Sequence, residues 1–282
     1  MKNKRQTKKI AEAAVMIALA TVLSICEIFK LPYGGSVTAA SMLPILIFSY
    51  RHGIGMGLSA AATYATVQQL LGLNNLFYVT GWQSVLAVIF LDYLLAFTVI
   101  GLGGIFRGRI ISHRGRVNAQ AVELALGMIF VCILRYAFHT IAGATVWAGL
   151  SIPTEAALIY SLGYNAIYMI PESVVSFLAS AWVGGVIDLS RDVPIRVRRD
   201  KSENPYRSRA LLLRRLSALA AVITVGAVFL LFFTHINMTD EGKLSFDALI
   251  GMNFSHILHV FCIGAVLAVG LLIAARVLDK KR

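Results

Sequence analysis

Charge is what this chain has least of. Only 14% of its 282 residues are Asp, Glu, Lys or Arg, where a soluble domain carries about 25%. Hydrophobic residues make up 58% and mean hydropathy is +0.75, which excludes an ordinary water-soluble globule and defines an integral membrane protein. Cysteine is scarce as well. Cys26, Cys132 and Cys262 are an odd number scattered through apolar segments, which argues for small hydrophobes and against a disulfide framework. No Walker A glycine loop or other nucleotide motif occurs, so the sequence shows no ATPase of its own. No internal repeat of the inverted-topology kind is found either. Leu23-Ser24-Ile25-Cys26 sets a bulky Ile where a lipoprotein signal wants a small residue, and no small-x-small cleavage site follows the first apolar run. That run is therefore read as a retained helix.

What is present is a series of apolar runs. They are drawn near residues 10 to 29, 37 to 50, 54 to 72, 82 to 105, 119 to 142, 157 to 189, 210 to 234 and 247 to 277, against the roughly 20 residues that cross a ~30 Å hydrocarbon core. The reading is an all-α membrane protein with eight helices, the second short and the sixth long. Residues 190 to 209 are charged, hold two prolines and lack an apolar period, as a linker does. Three parts follow: a six-helix membrane domain over 1–189, a basic linker over 190–209, and a transmembrane hairpin over 210–282.

The net charge of +12 is explained by placement. Cations crowd the N-terminal tail, Arg51, the loop from Arg107 to Arg116, the stretch from Arg191 to Arg215, and the C-terminus from Arg276 onward; Lys30 and Lys243 lie opposite, with Arg135 between. The positive-inside rule then makes both termini cytoplasmic and the number of crossings even. Anionic lipid headgroups, not nucleic acid, are the expected partner of this basic surplus.

Polar residues inside apolar helices are costly and mark buried polar sites. At ~1.5 Å of rise per residue, Asp92 on the fourth helix and Arg135 on the fifth fall at similar depth, with His139 one turn further out. Gly143 and Trp147 continue the spacing of four, and Tyr160 and Asn165 begin the sixth helix. Together these predict an outward-facing pocket lined by Trp82, Tyr93, Trp147 and Tyr160, with Asp92, His139 and Asn165 as its polar groups. Aromatic faces attract a delocalised cation, Asp92 offsets its charge, and His139 with Asn165 match ring nitrogens and an amine. A flat, cationic heteroaromatic ligand suits such a pocket. An alternative reading pairs Asp92 with Arg135 as a structural ion pair, and Trp82 and Tyr160 also fit an interfacial aromatic belt.

Pro32-Tyr-Gly-Gly-Ser-Val37, Met42-Leu-Pro-Ile45, Leu91-Asp-Tyr-Leu-Leu-Ala-Phe97, Leu134-Arg-Tyr-Ala-Phe-His139 through Trp147, and Ile159-Tyr-Ser-Leu-Gly-Tyr-Asn165 together resemble the thiamine-binding S component of energy-coupling factor (ECF) vitamin transporters, over roughly residues 8 to 189. The resemblance implies six helices holding thiamine as transported ligand, with no cofactor, in a bacterial plasma membrane. It also implies a separate T component and two ATPases as partners. Asp92 resembles the carboxylate facing the thiazolium, and His139, Gly143, Trp147, Tyr160 and Asn165 resemble the pocket lining, with Tyr93 and Trp82 beside them. Gly34 and Gly35 stand where some members carry a tryptophan that closes over the ligand. Ala11, Ala14 and Ala18 form a small-residue face on the first helix, resembling the docking surface for the coupling module.

Two other functions stay open. A self-sufficient transporter, proton-coupled through Asp92 and His139, would need no partner. An enzyme using His139, His256 and His259 lacks a nucleophile–base constellation. His256 and His259 share a face with no third ligand nearby, so packing is preferred to metal binding. The C-terminal hairpin lies outside the resemblance.

Overall fold

The computed structural model describes residues 2–31, 34–109, 116–146, 157–197, 205–233, 237–238, 244–245 and 254–280. The chain divides into two compact units, Met1–Val197 and Arg198–Arg282.

The first unit contains α1 (Lys2–Ile25), a hairpin of β1 (Glu27–Lys30) and β2 (Ser36–Thr38), α2 (Leu43–His52), α3 (Ile54–Leu71), α4 (Trp82–Phe106), α5 (Arg116–Thr145), α6 (Ala157–Val186) and a small hairpin of β3 (Ile187–Asp188) and β4 (Ile195–Arg196). The second unit contains α7 (Pro205–Phe233), strands β5 (Asn237–Met238) and β6 (Leu244–Ser245), and α8 (Phe254–Lys280). Among the described residues, four segments are long and apolar enough to cross a membrane: α4, Ala119–Thr145 of α5, α6, and Ser255–Leu278 of α8.

The fold is mostly helical, as the expected class requires, and three short two-stranded hairpins stand beside the helices among the described residues. The expected helix over 37–50 is shorter than its apolar run. Pro44 in the first turn pre-sets helical φ, so α2 starts late and has only 10 residues, about 15 Å of rise. The outer part of that run is β2, where Val37 and Ser36 pair antiparallel with Phe29 and Lys30. A β-branched Val-Thr pair suits a short strand better than a helix start.

α2 is buried from Leu43 through Arg51 and forms the axis of the first unit, packed against α1, α3, α4, α5 and α6. Phe48, Ile45, Leu46 and Met42 are fully buried, with Tyr64, Ile100, Leu124 and Met128 around them. Backbone meets backbone where α3 crosses α4: a Cβ on Gly101 would stand 2.6 Å from the Gly57 carbonyl. Ser49 Oγ bridges the same contact, donating to the Gly101 carbonyl at 2.5 Å and accepting from the Gly104 N–H at 3.1 Å. Small residues permit such close approach in lipid, where no hydrophobic force drives helices together.

The basic end of this unit is tied by one cation. Arg51, buried on α2, bonds Glu12 of α1 at 2.5 Å and donates to the carbonyls of Leu189, Arg191 and Asp192 at 2.7, 3.0 and 3.1 Å. The start of the stretch expected as a linker is therefore packed onto the helices as the β3–β4 turn. In the second unit α7 and α8 run antiparallel, with Ser217 Oγ donating to the Ala268 carbonyl at 2.7 Å. His256 and His259 are exposed on α8, so the packing expected of them does not occur within the unit.

Candidate functional site

The ends of α1, α3 and α5, the middle of α4 and the first half of α6 converge, with the β1–β2 hairpin beside them, on a cavity of about 420 Å³. Asp92, Tyr93, His139, Gly143, Tyr160 and Asn165 all line it, so sequence positions as distant as 92 and 165 meet in one site. The turn that carries Asp92 and Tyr93 is a π-helix, Ile89–Leu95, an irregularity that recurs at functional sites because it re-aims side chains.

At the centre lies a chain of polar contacts. His139 Nδ1 is 3.0 Å from Asp92 Oδ1, and its Nε2 is 3.5 Å from Nη2 of Arg135. Arginine can only donate, so Nε2 is the acceptor and Nδ1–H donates to Asp92: a neutral imidazole relays between guanidinium and carboxylate. The ion pair weighed between Asp92 and Arg135 gives way to this arrangement. Arg135 instead sits with its guanidinium carbon 4.4 Å from the Phe97 ring centre and donates to Met42 Sδ at 2.9 Å. Its Nε lacks a hydrogen-bond partner.

Asn165 is engaged by its own surroundings. Its Nδ2 donates to the carbonyls of Ser161 and His139 at 2.8 and 3.2 Å, and its Oδ1 accepts from Tyr168 at 2.7 Å. It fixes the spacing of α5 and α6 at the depth of His139. Tyr93 is oriented by Asn75 Nδ2 at 2.8 Å and the Gly72 carbonyl at 3.2 Å.

Trp82, expected in the lining, is 70% exposed and is not among the residues that line the cavity. Its position fits the interfacial reading. Trp147 lies outside the described residues. Ala11, Ala14 and Ala18 are exposed on α1, while Ala20, Met16 and Ile17 face the core.

Among the lining groups that sequence reasoning missed are Tyr164, Tyr168 and Glu172. Tyr164 and Tyr168 extend Tyr160 into an aromatic ladder at spacing four along α6, with Tyr160 and Tyr164 stacked at 6.4 Å and Tyr168 edge-on to His139 at 6.0 Å. That spacing was visible in the sequence as one helical face. Glu172, next to Pro171 in mid-helix, accepts from the Thr38 N–H at 2.5 Å and the Thr38 hydroxyl at 2.8 Å. A lone carboxylate in an apolar run was its signal. The glycines of the first loop also take part: Tyr164 donates to the Gly34 carbonyl at 2.8 Å, and Gly35, at φ 88°, leaves no room for a Cβ, which would stand 2.7 Å from the Tyr168 ring.

The buried polar relay, tyrosine wall and lipid-length helices define a polytopic helical membrane protein with a ligand cavity. The model of the thiamine transporter protein family (Thia_YuaJ) matches residues 10–184, and the chain belongs to that family. It is 32% identical over 179 residues to the thiamine transporter ThiT of Bacillus subtilis (strain 168), spanning 62% of this chain and 89% of that protein. Its fold matches the solved structure of ThiT from Listeria monocytogenes with a TM-score of 0.52 at 21% identity, over 64% of this chain and 94% of the other.

Proposed function

We propose that this protein is the substrate-capturing subunit of an ATP-driven importer of the ECF type, taking up thiamine or a close precursor of it from outside. The observation that carries this reading is the cavity itself: Asp92 held by His139, faced by Tyr93, Tyr160, Tyr164 and Tyr168, in a chain of the thiamine transporter family. A thiazolium is a delocalised cation, attracted by aromatic faces and offset by a carboxylate. Asp92, Tyr93, His139, Gly143, Trp147, Tyr160 and Asn165 are assigned to thiamine, and the six helices of the first unit plus the pair α7–α8 to the membrane. Both termini belong in the cytoplasm of a bacterial cell, which puts the cavity on the outer side. Energy comes from a T component and two ATPases, docked on the alanine face of α1.

The test is thiamine binding to the purified, detergent-solubilised protein by tryptophan quenching, followed by uptake into vesicles with and without the ATPase module. Saturable binding with ATP-dependent uptake is expected. The Asp92–His139 pair also supports a proton-coupled secondary transporter, which would take up thiamine on a proton gradient alone. Absence of binding would remove both readings.

A further inference from the structure

Glu172 lies at the middle of α6, roughly 22 Å from its first residue at ~1.5 Å per residue, and lines the inner part of the cavity. It is 2% exposed. Each carboxylate oxygen accepts one bond from Thr38, and a carboxylate has about four acceptor sites, so acceptor capacity remains. Among the described residues it makes no ion pair, and no side chain of another helix bonds it as the His139 ring bonds Asp92 at 3.0 Å. The neighbouring cation, Arg135, spends its contacts on Phe97, Met42 and His139 and keeps an unpartnered buried Nε. A buried charge without a contacting partner is costly until something neutralises it. The described lining as a whole holds three carboxylates, Glu27, Asp92 and Glu172, against two cations, Lys30 and Arg135. Glu27 and Lys30 cancel at 3.3 Å. With His139 neutral and Asp92 and Glu172 ionised, the described lining is short of one positive charge.

We infer that Glu172 is a specificity-determining residue of this cavity, a second carboxylate that makes the site select a monocation over neutral and anionic molecules of the same shape. The inference rests on the thiamine reading and adds a charge rule to it. A thiazolium occupant brings the cavity to neutrality; a phosphate ester of the same molecule carries net negative charge and takes it further from neutrality. Thr38 holds the carboxylate on the inner wall and links occupancy to the β1–β2 hairpin.

The experiment measures dissociation constants of wild type and Glu172→Gln for thiamine, thiamine monophosphate and an analogue whose thiazolium is replaced by an uncharged thiophene. Glutamine keeps an acceptor for the Thr38 N–H while removing the charge. The expected result is a loss of at least about tenfold for thiamine, under about threefold for the neutral analogue, and a narrowed preference for thiamine over its monophosphate. Glu172→Asp should keep the wild-type preference ratio. Equal losses for all three ligands would assign Glu172 to anchoring Thr38 alone and overturn the inference, as would unchanged thiamine binding. If Glu172→Gln does not fold, Thr38→Val decides: it should leave the ratio intact, and a changed ratio overturns the inference. A wild type that binds no thiamine would fell the functional reading itself, a result distinct from all of these.

Discussion

Asp92 and His139 are the residues whose chemistry the sequence made most legible, because a carboxylate and an imidazole inside apolar helices have few explanations. What could not be read was the third member, since Arg135 was placed opposite Asp92 by depth alone, and only the folded helices put His139 between them. Asp92→Asn is expected to lower thiamine affinity by about tenfold or more, as loss of a charge-assisted hydrogen bond costs on the order of 1.5–3 kcal/mol; titration calorimetry checks it, and an unchanged constant would remove Asp92 from the site. Gly35→Ala is expected to weaken binding at least about fivefold, because a left-handed Cβ costs about 1–2 kcal/mol and would press on the Tyr168 ring. Wild-type affinity in that variant would show that the hairpin moves freely against α6. Trp147→Ala, at a position expected from spacing alone, should cost about 1–2 kcal/mol in binding if the ring stacks on a desolvated cation.

Helices were legible wherever the apolar run was long. α4, α5 and α6 lie where the sequence put them, while 37–50 resolved into β2 and a ten-residue α2, because a run that is apolar on every side carries no period to separate strand from buried helix. The contact of α3 with α4 was equally invisible, as Gly57 and Gly101 become meaningful only once they face each other. Gly101→Ala should destabilise the bundle by about 1–3 kcal/mol through overpacking, read as a lower unfolding temperature in detergent. The alanine face of α1 makes a different demand: Ala14→Trp should leave thiamine binding intact, since the residue is exposed and outside the cavity, while ATP-driven uptake falls severalfold. Uptake at the wild-type rate would remove that face as the docking surface.

For the molecule as a whole, the family match ends at residue 184 and the first compact unit at Val197. A chain truncated after Val197 is therefore expected to bind thiamine within about threefold of the full chain, a change under ~0.7 kcal/mol, as measured by the same quenching titration. A greater loss would assign α7 and α8 a share in the site. The sequence by itself determined that this is a membrane protein, where its long helices run, and which face of α5 is polar, because composition and period are local properties that lipid enforces on any chain. The tertiary structure alone decided that Glu172 reaches Thr38, that Arg51 binds Glu12 and the β3–β4 turn, and that Trp82 is exposed and not part of the cavity lining. Those outcomes depend on how helices rotate and approach one another, which is settled by packing between residues far apart in the chain.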